Sequence, residues 1–240
     1  MTTTVAERLA RVRERIAMAA ARAGRNPAAI TLVAVTKTHP PALIAEAVAA
    51  GATDLGENRV QEAAAKIPAL AGALSPRWHL IGHLQRNKAR PAAELFDLIH
   101  SVDSLRLAEA LARHAAPDRR LPVLLQVNVS GEASKEGFDL PGGPANRAGL
   151  DALLPAVEGI LALPGLEVRG LMTIAPIGPT PEAARPTFAA LRELRDELAR
   201  RYASALWGEL SMGMTDDFEA AIAEGATIVR VGRAIFGERG

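Results

Sequence analysis

Residues 31–37 read Thr-Leu-Val-Ala-Val-Thr-Lys, a β-branched and apolar run that predicts a buried strand ending at a lysine. Similar runs recur along the chain, separated by alanine-rich segments with helical spacing. The eight predicted strands are Thr31–Lys37, Thr53–Glu57, Trp78–Gly82, Leu98–Ser101, Pro122–Val129, Glu167–Ile174, Leu206–Met212 and Thr227–Val231. Because eight alternating βα units close a parallel barrel, the sequence predicts an α/β fold, a single (β/α)8 TIM barrel.

An extra helix is predicted ahead of the first strand, over residues 4–23. Val5 and Leu9 begin an apolar series at the spacing of one helical face, and Thr4 with Glu7 fits a capping box. This helix has no place in the eight βα units. We therefore expect it to pack against the outside of the barrel.

A doubly wound open sheet is the main alternative, because it also alternates strands and helices. The turn after the first strand, Lys37-Thr-His-Pro40, lacks the glycine-rich phosphate motif of that fold, and eight units favour a closed barrel. No linker or composition break divides the chain, so residues 1–240 are predicted to form one domain. Residues 131–149 are long enough to be a mobile loop, and no structure is predicted there.

Composition excludes several classes of function. The 240 residues are 49% hydrophobic and 23% charged, the composition of a soluble globular protein, and the formal net charge of +1 gives no basis for a nucleic-acid or membrane surface. The chain has no cysteine, which removes disulfides, thiolate metal sites and cysteine nucleophiles. No apolar run is long enough to span a membrane and no signal-peptide pattern is present, so a cytoplasmic location is expected.

Lysine is rare in this chain. Only four of the 28 basic residues are lysines, namely Lys37, Lys66, Lys88 and Lys135. Arginine carries the same charge but cannot deprotonate to become a nucleophile, so each lysine is a candidate for amine chemistry. Lys66 follows Glu62 by four residues and is predicted to form a solvated helix pair, and Lys135 is predicted to be exposed in a mobile loop. Lys37 ends a buried strand, which places its amine at the barrel mouth.

Two glycine-bearing turns follow the last two predicted strands, where barrel enzymes commonly bind phosphate. They read Ser-Met-Gly-Met-Thr-Asp-Asp over residues 211–217 and Val-Arg-Val-Gly-Arg-Ala-Ile-Phe-Gly over residues 229–237. Gly213 and Gly232 would allow an anion to approach the backbone, while Thr215 is predicted to cap the following helix. The side chains predicted to add hydrogen bonds to the anion are Ser211 and Arg233.

An amine beside a phosphate pocket fits a ligand that carries both an aldehyde and a phosphate. Lys37 in a partly desolvated mouth can form a Schiff base, either with pyridoxal 5'-phosphate (PLP) or with a phosphorylated sugar aldehyde. No metal site is predicted, because His79 and His83 flank a strand end instead of sharing a helix face.

Several motifs occur in an order that resembles one known family. They are Thr36-Lys37-Thr38, Gly56-Glu57-Asn58, Trp78-His79-Leu80-Ile81-Gly82, Gly170-Leu171-Met172, the 211–217 turn, and Arg230-Val231-Gly232 with Ile235-Phe236-Gly237. The chain is similar over nearly its whole length to the YggS/PROSC family of PLP homeostasis proteins. This resemblance implies a barrel similar to the N-terminal domain of alanine racemase, with PLP bound as an internal aldimine on Lys37.

The resemblance also implies roles for other residues. Ser211, Gly213 and Gly232 would hold the phosphate, with Met214 and Arg233 nearby. Arg230 would face the pyridine nitrogen and Asn58 would lie beside the cofactor. The predicted partners are PLP and, through delivery of PLP, apo forms of PLP-dependent enzymes, with the protein itself a monomer.

Three functions remain open on the sequence. The first is a carrier that buffers or delivers PLP without strong turnover, because an arginine such as Arg230 cannot accept the ring proton and leaves PLP a weak electron sink. The alternative is a PLP-dependent amino-acid racemase, which needs a second acid/base; the sole tyrosine, Tyr202, falls in a helical pattern, and no second domain follows the eighth strand to supply one. The third is a Schiff-base aldolase acting on a sugar phosphate.

Overall fold

The computed structural model describes residues 3–70, 72, 75–116, 118–178 and 180–237. The strands are β1 (Thr31–Val35), β2 (Asp54–Glu57), β3 (Arg77–Leu80), β4 (Leu98–Val102), β5 (Leu121–Asn128), β6 (Phe138–Asp139), β7 (Leu166–Met172), β8 (Glu209–Ser211) and β9 (Ile228–Val231). The helices are α1 (Val5–Arg22), α2 (Pro41–Ala49), α3 (Val60–Ala69), α4 (Ala89–Leu95), α5 (Leu105–Ala112), α6 (Arg147–Leu161), α7 (Arg185–Arg201), α8 (Phe218–Ala223) and α9 (Arg233–Phe236).

Eight parallel strands close on themselves. The order is β1-β2-β3-β4-β5-β7-β8-β9, and β9 pairs with β1 in a register that places Leu32 opposite Val229. The short β6 lies outside this ring and pairs only with the end of β5. The predicted (β/α)8 barrel is therefore confirmed, and the side chains at the carboxyl ends of its strands meet at one mouth.

The period-two alternation of strand side chains separates two cores. The larger core lies between barrel and helices and includes Leu55, Leu80 and Val229. The smaller core consists of Val33, Leu98, Leu124, Met172 and Ile228, with Ile174 packed against it. These residues fill only part of the barrel interior. Buried polar side chains of β2, β3, β4, β8 and β9 occupy the remainder, as described below.

Helix α1 confirms the predicted opening helix and its cap. The Thr4 hydroxyl accepts a bond from the Glu7 amide and the Glu7 carboxylate accepts one from the Thr4 amide. Its apolar face is buried, and it packs against the last two helices: the Arg8 Nε donates to the Ile235 carbonyl at 2.6 Å, and Arg15 pairs with Glu219. None of the helices in the described part of the chain combines the length and hydropathy needed to cross a membrane.

Several predicted boundaries were wrong for local reasons. Strand β1 ends at Val35, two residues before Lys37, because the chain turns where Thr38 adopts a left-handed φ of 66°. The helix predicted from Asp216 begins at Phe218, because the Asp217 carboxylate accepts the Met214 amide at 2.5 Å within the preceding turn.

Two longer segments also differ from their prediction. The helix predicted over Pro181–Tyr202 starts with a 3-10 turn, Pro181–Ala184, before α7 begins. The segment 131–149, for which no structure was predicted, contains β6 and the 3-10 turn Gly143–Ala145. Asn128, at the end of β5, ties this segment to the barrel by bonding the backbone on both sides of its first turn.

Candidate functional site

A cavity of about 600 Å³ opens at the carboxyl ends of the strands. Its walls come from the segments that follow β1, β2, β3, β7, β8 and β9. Six of the eight predicted site residues line it: Lys37, Asn58, Met214, Arg230, Gly232 and Arg233. Ser211 and Gly213 lie outside this lining. The structure thus brings the predicted amine and both predicted arginines to one space.

Lys37 is held by its two neighbours. The Thr36 hydroxyl donates to Glu57 Oε1 at 2.6 Å, and the Thr38 amide donates to Glu62 Oε2 at 3.0 Å. Thr38 is a β-branched residue in the left-handed region, a conformation that costs of order 1 kcal/mol or more and needs support from its surroundings. The backbone on both sides of Lys37 is therefore fixed by carboxylates outside the barrel.

Lys66 joins these two carboxylates, which corrects its predicted role as an exposed lysine. It is buried, and its Nζ donates to Glu57 Oε1 at 2.7 Å, to the Thr36 carbonyl at 2.8 Å and to Glu62 Oε2 at 3.3 Å. The predicted pairing with Glu62 is present, but inside a buried ion cluster. Burial raises the pKa of Glu57 despite Lys66 and Thr36, and Glu57 Oε2 makes no hydrogen bond to any described residue.

Arg230 enters the cavity from inside the barrel. It is 4% exposed, its Nη1 donates to Ser211 Oγ at 2.6 Å, and its Nη2 donates to the Thr173 carbonyl at 2.9 Å. Burial lowers the pKa of Arg230 to about 10, with Asp217 acting in the opposite direction, so the guanidinium stays charged at neutral pH. A fixed cation thus lies in the same cavity as Lys37.

Ser211 is fully buried on β8, and its hydroxyl is engaged below the cavity. Its Oγ lies 2.8 Å from His100 Nδ1 as well as 2.6 Å from Arg230. His100 Nε2 lies 2.9 Å from His79 Nδ1, and His79 Nε2 lies 2.9 Å from Asp54 Oδ1. The predicted contact of Ser211 with a phosphate stays a prediction. The hydroxyl already belongs to a chain of buried polar side chains, three of which the sequence analysis missed.

Close backbone packing places the other predicted residues. A Cβ at Gly82 would lie 2.4 Å from the Asn58 carbonyl oxygen, so only glycine lets β3 and the Asn58 segment approach. Gly213 has a φ of 93°, and a Cβ there would lie 2.6 Å from the Ala221 Cβ. Gly213 therefore shapes the turn that presents Met214 to the cavity.

The predicted phosphate end of the cavity includes Arg233 and a polar residue not predicted to bind there, Thr215. Arg233 and Asp216 both line the cavity, and they form an ion pair with each other. Thr215, predicted only as a helix cap, also lines the cavity. Helix α8 begins after Asp217, and Thr215 does not cap it. Thr215 therefore belongs to the cavity wall and not to the helix cap.

Residues elsewhere account for the remaining predictions. Lys135 was predicted to be exposed, but its side chain is only 21% exposed and pairs with Glu132. Tyr202 caps the end of α7 and its hydroxyl donates to Glu158 Oε1 at 2.9 Å. It is absent from the residues that line the cavity. His79 is committed to the buried chain and is not part of a metal site.

His83 lies in an exposed group with two acids. Its Nδ1 is 3.2 Å from Asp103 Oδ2 and 3.9 Å from Glu136 Oε2. One potential ligand atom from each lies within 4.8 Å of the others, so this group has the composition of a metal site. The direct His83–Asp103 contact has hydrogen-bond distance, and such contacts are common at protein surfaces without a metal ion.

Comparison with known proteins identifies the family. The chain matches the alanine racemase N-terminal domain family over residues 8–240. A pyridoxal phosphate homeostasis protein of Pseudomonas aeruginosa is 49% identical, covering 98% of this chain and 96% of the relative. One of Aquifex aeolicus is 47% identical over 97% of both chains. The chain belongs to the pyridoxal phosphate homeostasis protein family. The family assignment made from the sequence motifs is confirmed.

Solved structures place the family fold. PipY of Synechococcus elongatus, determined with PLP bound, is 43% identical and superposes with a TM-score of 0.81 over 98% of this chain and all of that chain. Its structure without PLP gives a TM-score of 0.83. Alanine racemase of Clostridium difficile, at 14% identity and a TM-score of 0.68, shares the barrel fold with this chain.

Proposed function

We propose that this protein binds PLP covalently through Lys37 and buffers or delivers it within the cell, without strong catalytic turnover. The observation that carries the proposal is the placement of Lys37 and Arg230 in one cavity of about 600 Å³. The close relative PipY has been determined with PLP bound, and its chain is matched over its whole length. Both observations favour an aldehyde cofactor over a metal or a nucleotide.

The residues at the cavity fit the chemical groups of PLP. Lys37 would supply the amine that condenses with the cofactor aldehyde, with loss of one water. Arg230 would face the pyridine nitrogen, and Asn58 would lie beside the ring. At the phosphate end, Gly232 and Arg233 would provide backbone and guanidinium donors. We add the Thr215 hydroxyl to this group because it lines the same wall.

Two features favour a carrier over a racemase. Arg230 keeps its own proton at neutral pH, so the ring nitrogen facing it would not be protonated and the ring would withdraw electrons weakly. Racemisation needs an acid and a base on opposite faces of the substrate. Tyr202 is bonded to Glu158 at the end of α7 and does not line the cavity. We expect no measurable loss of optical rotation when the PLP-loaded protein is incubated with alanine or serine.

The decisive experiment is a visible absorption spectrum of the PLP-loaded protein before and after borohydride. We expect a Schiff-base band that borohydride abolishes, with the reduced cofactor found on the Lys37 peptide by mass spectrometry. Lys37→Arg keeps the charge but cannot form an imine, so it should lack the band. Lys135→Arg is the matched control and should retain it. A Lys37→Arg variant with an unchanged band would contradict the proposal.

Delivery, location and assembly are separate parts of the proposal. We propose that the protein acts as a monomer in the cytoplasm, where apo-enzymes that need PLP would be its partners. Delivery is tested by mixing PLP-loaded protein with an apo aminotransferase in the presence of a phosphatase that destroys free PLP. Activation that survives the phosphatase supports direct transfer, and its complete loss limits the protein to buffering. Light scattering of the loaded protein tests the monomer.

A further inference from the structure

We infer that Ser211, His100, His79 and Asp54 form a one-way hydrogen-bond chain through the barrel that holds the Arg230 guanidinium in a fixed orientation. The chain runs from the cavity at the carboxyl ends of the strands to Asp54 at the start of β2. These four are positioning residues, because they act on the cavity through Arg230. The inference rests on the proposed function only where it concerns the strength of PLP binding.

The direction of the chain follows from its two ends. Arg230 can only donate, so Ser211 Oγ must accept from it. At the far end, burial raises the pKa of Asp54, but bonds from His79, Thr53 and Arg77 lower it to about 2 overall. Asp54 is therefore an ionised acceptor at neutral pH, and His79 Nε2, which lies 2.9 Å from its Oδ1, must carry a proton.

The middle of the chain then has one arrangement in which both imidazoles are neutral. His79 donates from Nε2 to Asp54 and accepts at Nδ1 from His100 Nε2. His100 accepts at Nδ1 from the Ser211 hydroxyl, which accepts in turn from Arg230. Each imidazole nitrogen then has one partner in its proper role, and Ser211 Oγ both accepts and donates. Neutral histidines agree with the pKa of His100, which burial, His79 and Arg230 lower well below its usual value.

The reverse arrangement fails at Ser211. If His79 carried two protons, it would donate to His100 Nε2, and His100 Nδ1–H would donate to Ser211. Ser211 Oγ would then accept two bonds, and its own proton would have no hydrogen-bond acceptor among the described residues. A cation would also be buried close to Arg230. An unsatisfied buried donor and a second buried cation both cost free energy.

The chain has two consequences for Arg230. Its Nη1 and Nη2 donate to acceptors on different strands, Ser211 on β8 and the Thr173 carbonyl after β7, which fixes the guanidinium plane. The Ser211 hydroxyl donates its hydrogen bond to His100, so the lone pairs of its oxygen face Arg230. The Ser211 hydroxyl therefore serves Arg230 and is not available as a phosphate donor.

The first test uses the protein without PLP. In spectra of 15N-labelled side chains we expect both His79 and His100 to be Nε2–H tautomers, with His100 neutral because burial lowers its pKa well below the usual value. We also expect separate Nη resonances for Arg230, because its guanidinium cannot rotate freely. A charged His79 or His100, or an Nδ1–H tautomer of either, overturns the inference.

The second test breaks the chain in its middle and at its cavity end. His100→Leu and Ser211→Ala should each merge the Arg230 resonances and weaken PLP binding by roughly tenfold or more, the effect of losing a bond to a charged group. The matched controls are His114→Leu and Ser204→Ala, which change exposed residues and should alter neither. Asp54→Asn retains the acceptor and should preserve the resonances. Unchanged Arg230 resonances in folded His100→Leu overturn the inference.

The two proposals fail separately in these experiments. A wild-type protein without a Schiff-base band contradicts the proposed function. The hydrogen-bond chain is then tested by the histidine tautomers and the Arg230 resonances alone. A wild-type protein with the band, but with an Nδ1–H tautomer at either histidine and with PLP binding unaffected by Ser211→Ala, contradicts only the chain.

Discussion

Two buried polar networks support Lys37 and Arg230 at the cavity, and they differ in kind. Lys37 is held from outside the barrel by the ion cluster of Glu57, Glu62 and Lys66. Arg230 is held from inside the barrel by a chain whose two central members are neutral imidazoles. Among the described residues, the cluster leaves Glu57 Oε2 without a hydrogen-bond partner, whereas each imidazole nitrogen of the chain has one.

The difference reflects what each cation must do. In the proposed function Lys37 loses a proton and reacts. The cluster bonds the Thr36 hydroxyl and the Thr38 amide on either side of it, and the Lys37 side chain lines the cavity. A guanidinium that must stay charged and still is bonded directly at two nitrogens. The cluster therefore acts on the residues that flank Lys37, whereas the chain bonds the Arg230 guanidinium itself.

The largest expected effect comes from removing the cation of the cluster. Lys66→Met leaves Glu57 buried without its ion pair, so we expect the free energy of unfolding to fall by about 3–5 kcal/mol. Equilibrium unfolding in urea measures this loss. In the double variant Glu57→Gln/Lys66→Met, which contains no buried charge at this position, much of it should return.

Lys88→Met is the matched control for Lys66→Met. Lys88 is partly exposed at the start of α4, and its replacement should change the free energy of unfolding by about 0.5 kcal/mol or less. Equal losses in the two single variants would mean that Lys66 contributes as a surface residue and that the comparison of the networks is mistaken.

The networks should respond to acid with opposite sign. Asp54 has a pKa lowered from 3.8 to about 2, so its contribution of about 2 kcal/mol is present above pH 4 and is lost as the pH falls toward 2. Glu57 has a pKa raised from 4.5 by burial, so the folded state binds its proton more tightly and loses stability as the pH rises above 4.5. Urea unfolding at a series of pH values measures both slopes.

Single amide variants separate these slopes. Asp54→Asn should flatten the pH dependence of stability between about pH 4 and 2, and Glu57→Gln should flatten the decline above 4.5. If Glu57→Gln instead changes the loss of stability between about pH 4 and 2, then Glu57 and Asp54 do not have opposite effects on the pH dependence of stability.

The smallest effect is expected at Thr38, where the cluster fixes a left-handed backbone. Thr38→Gly keeps the amide that donates to Glu62 and removes the Cβ, so we expect a gain of about 0.5–1 kcal/mol. Thr38→Ala retains a Cβ and should not share this gain. Thermal unfolding measures both variants, and a less stable Thr38→Gly would show that the Thr38 side chain offsets its own strain.

The barrel could be predicted from the sequence because the pattern of strands and helices repeats along the chain. β-branched runs alternating with helical patterns give the number of units, and the rule that strand ends meet at one mouth brought Lys37, Asn58 and Arg230 together in advance. The turn at Thr38 was not predictable, because a threonine at positive φ is imposed by contacts with distant residues such as Glu62.

The two networks were missed for a common physical reason. An i, i+4 pair such as Glu62–Lys66 has the same spacing whether the helix face is exposed or buried against a barrel. Likewise, alternation along a strand does not tell which face points into the barrel, so His79 and His100 carried no mark of their shared interior. The available signal was a titratable residue on each of several strands otherwise made of apolar residues.

The bond between Arg8 and Ile235 spans 227 residues, and β1 pairs with β9 in the same region. The wall of the cavity that contains Arg230, Gly232 and Arg233 therefore exists only after the last strand has closed the ring. A nascent chain on the ribosome would expose the Lys37 turn long before this wall forms. The complete cavity is thus a property of the finished chain, because its two sides come from opposite ends of the sequence.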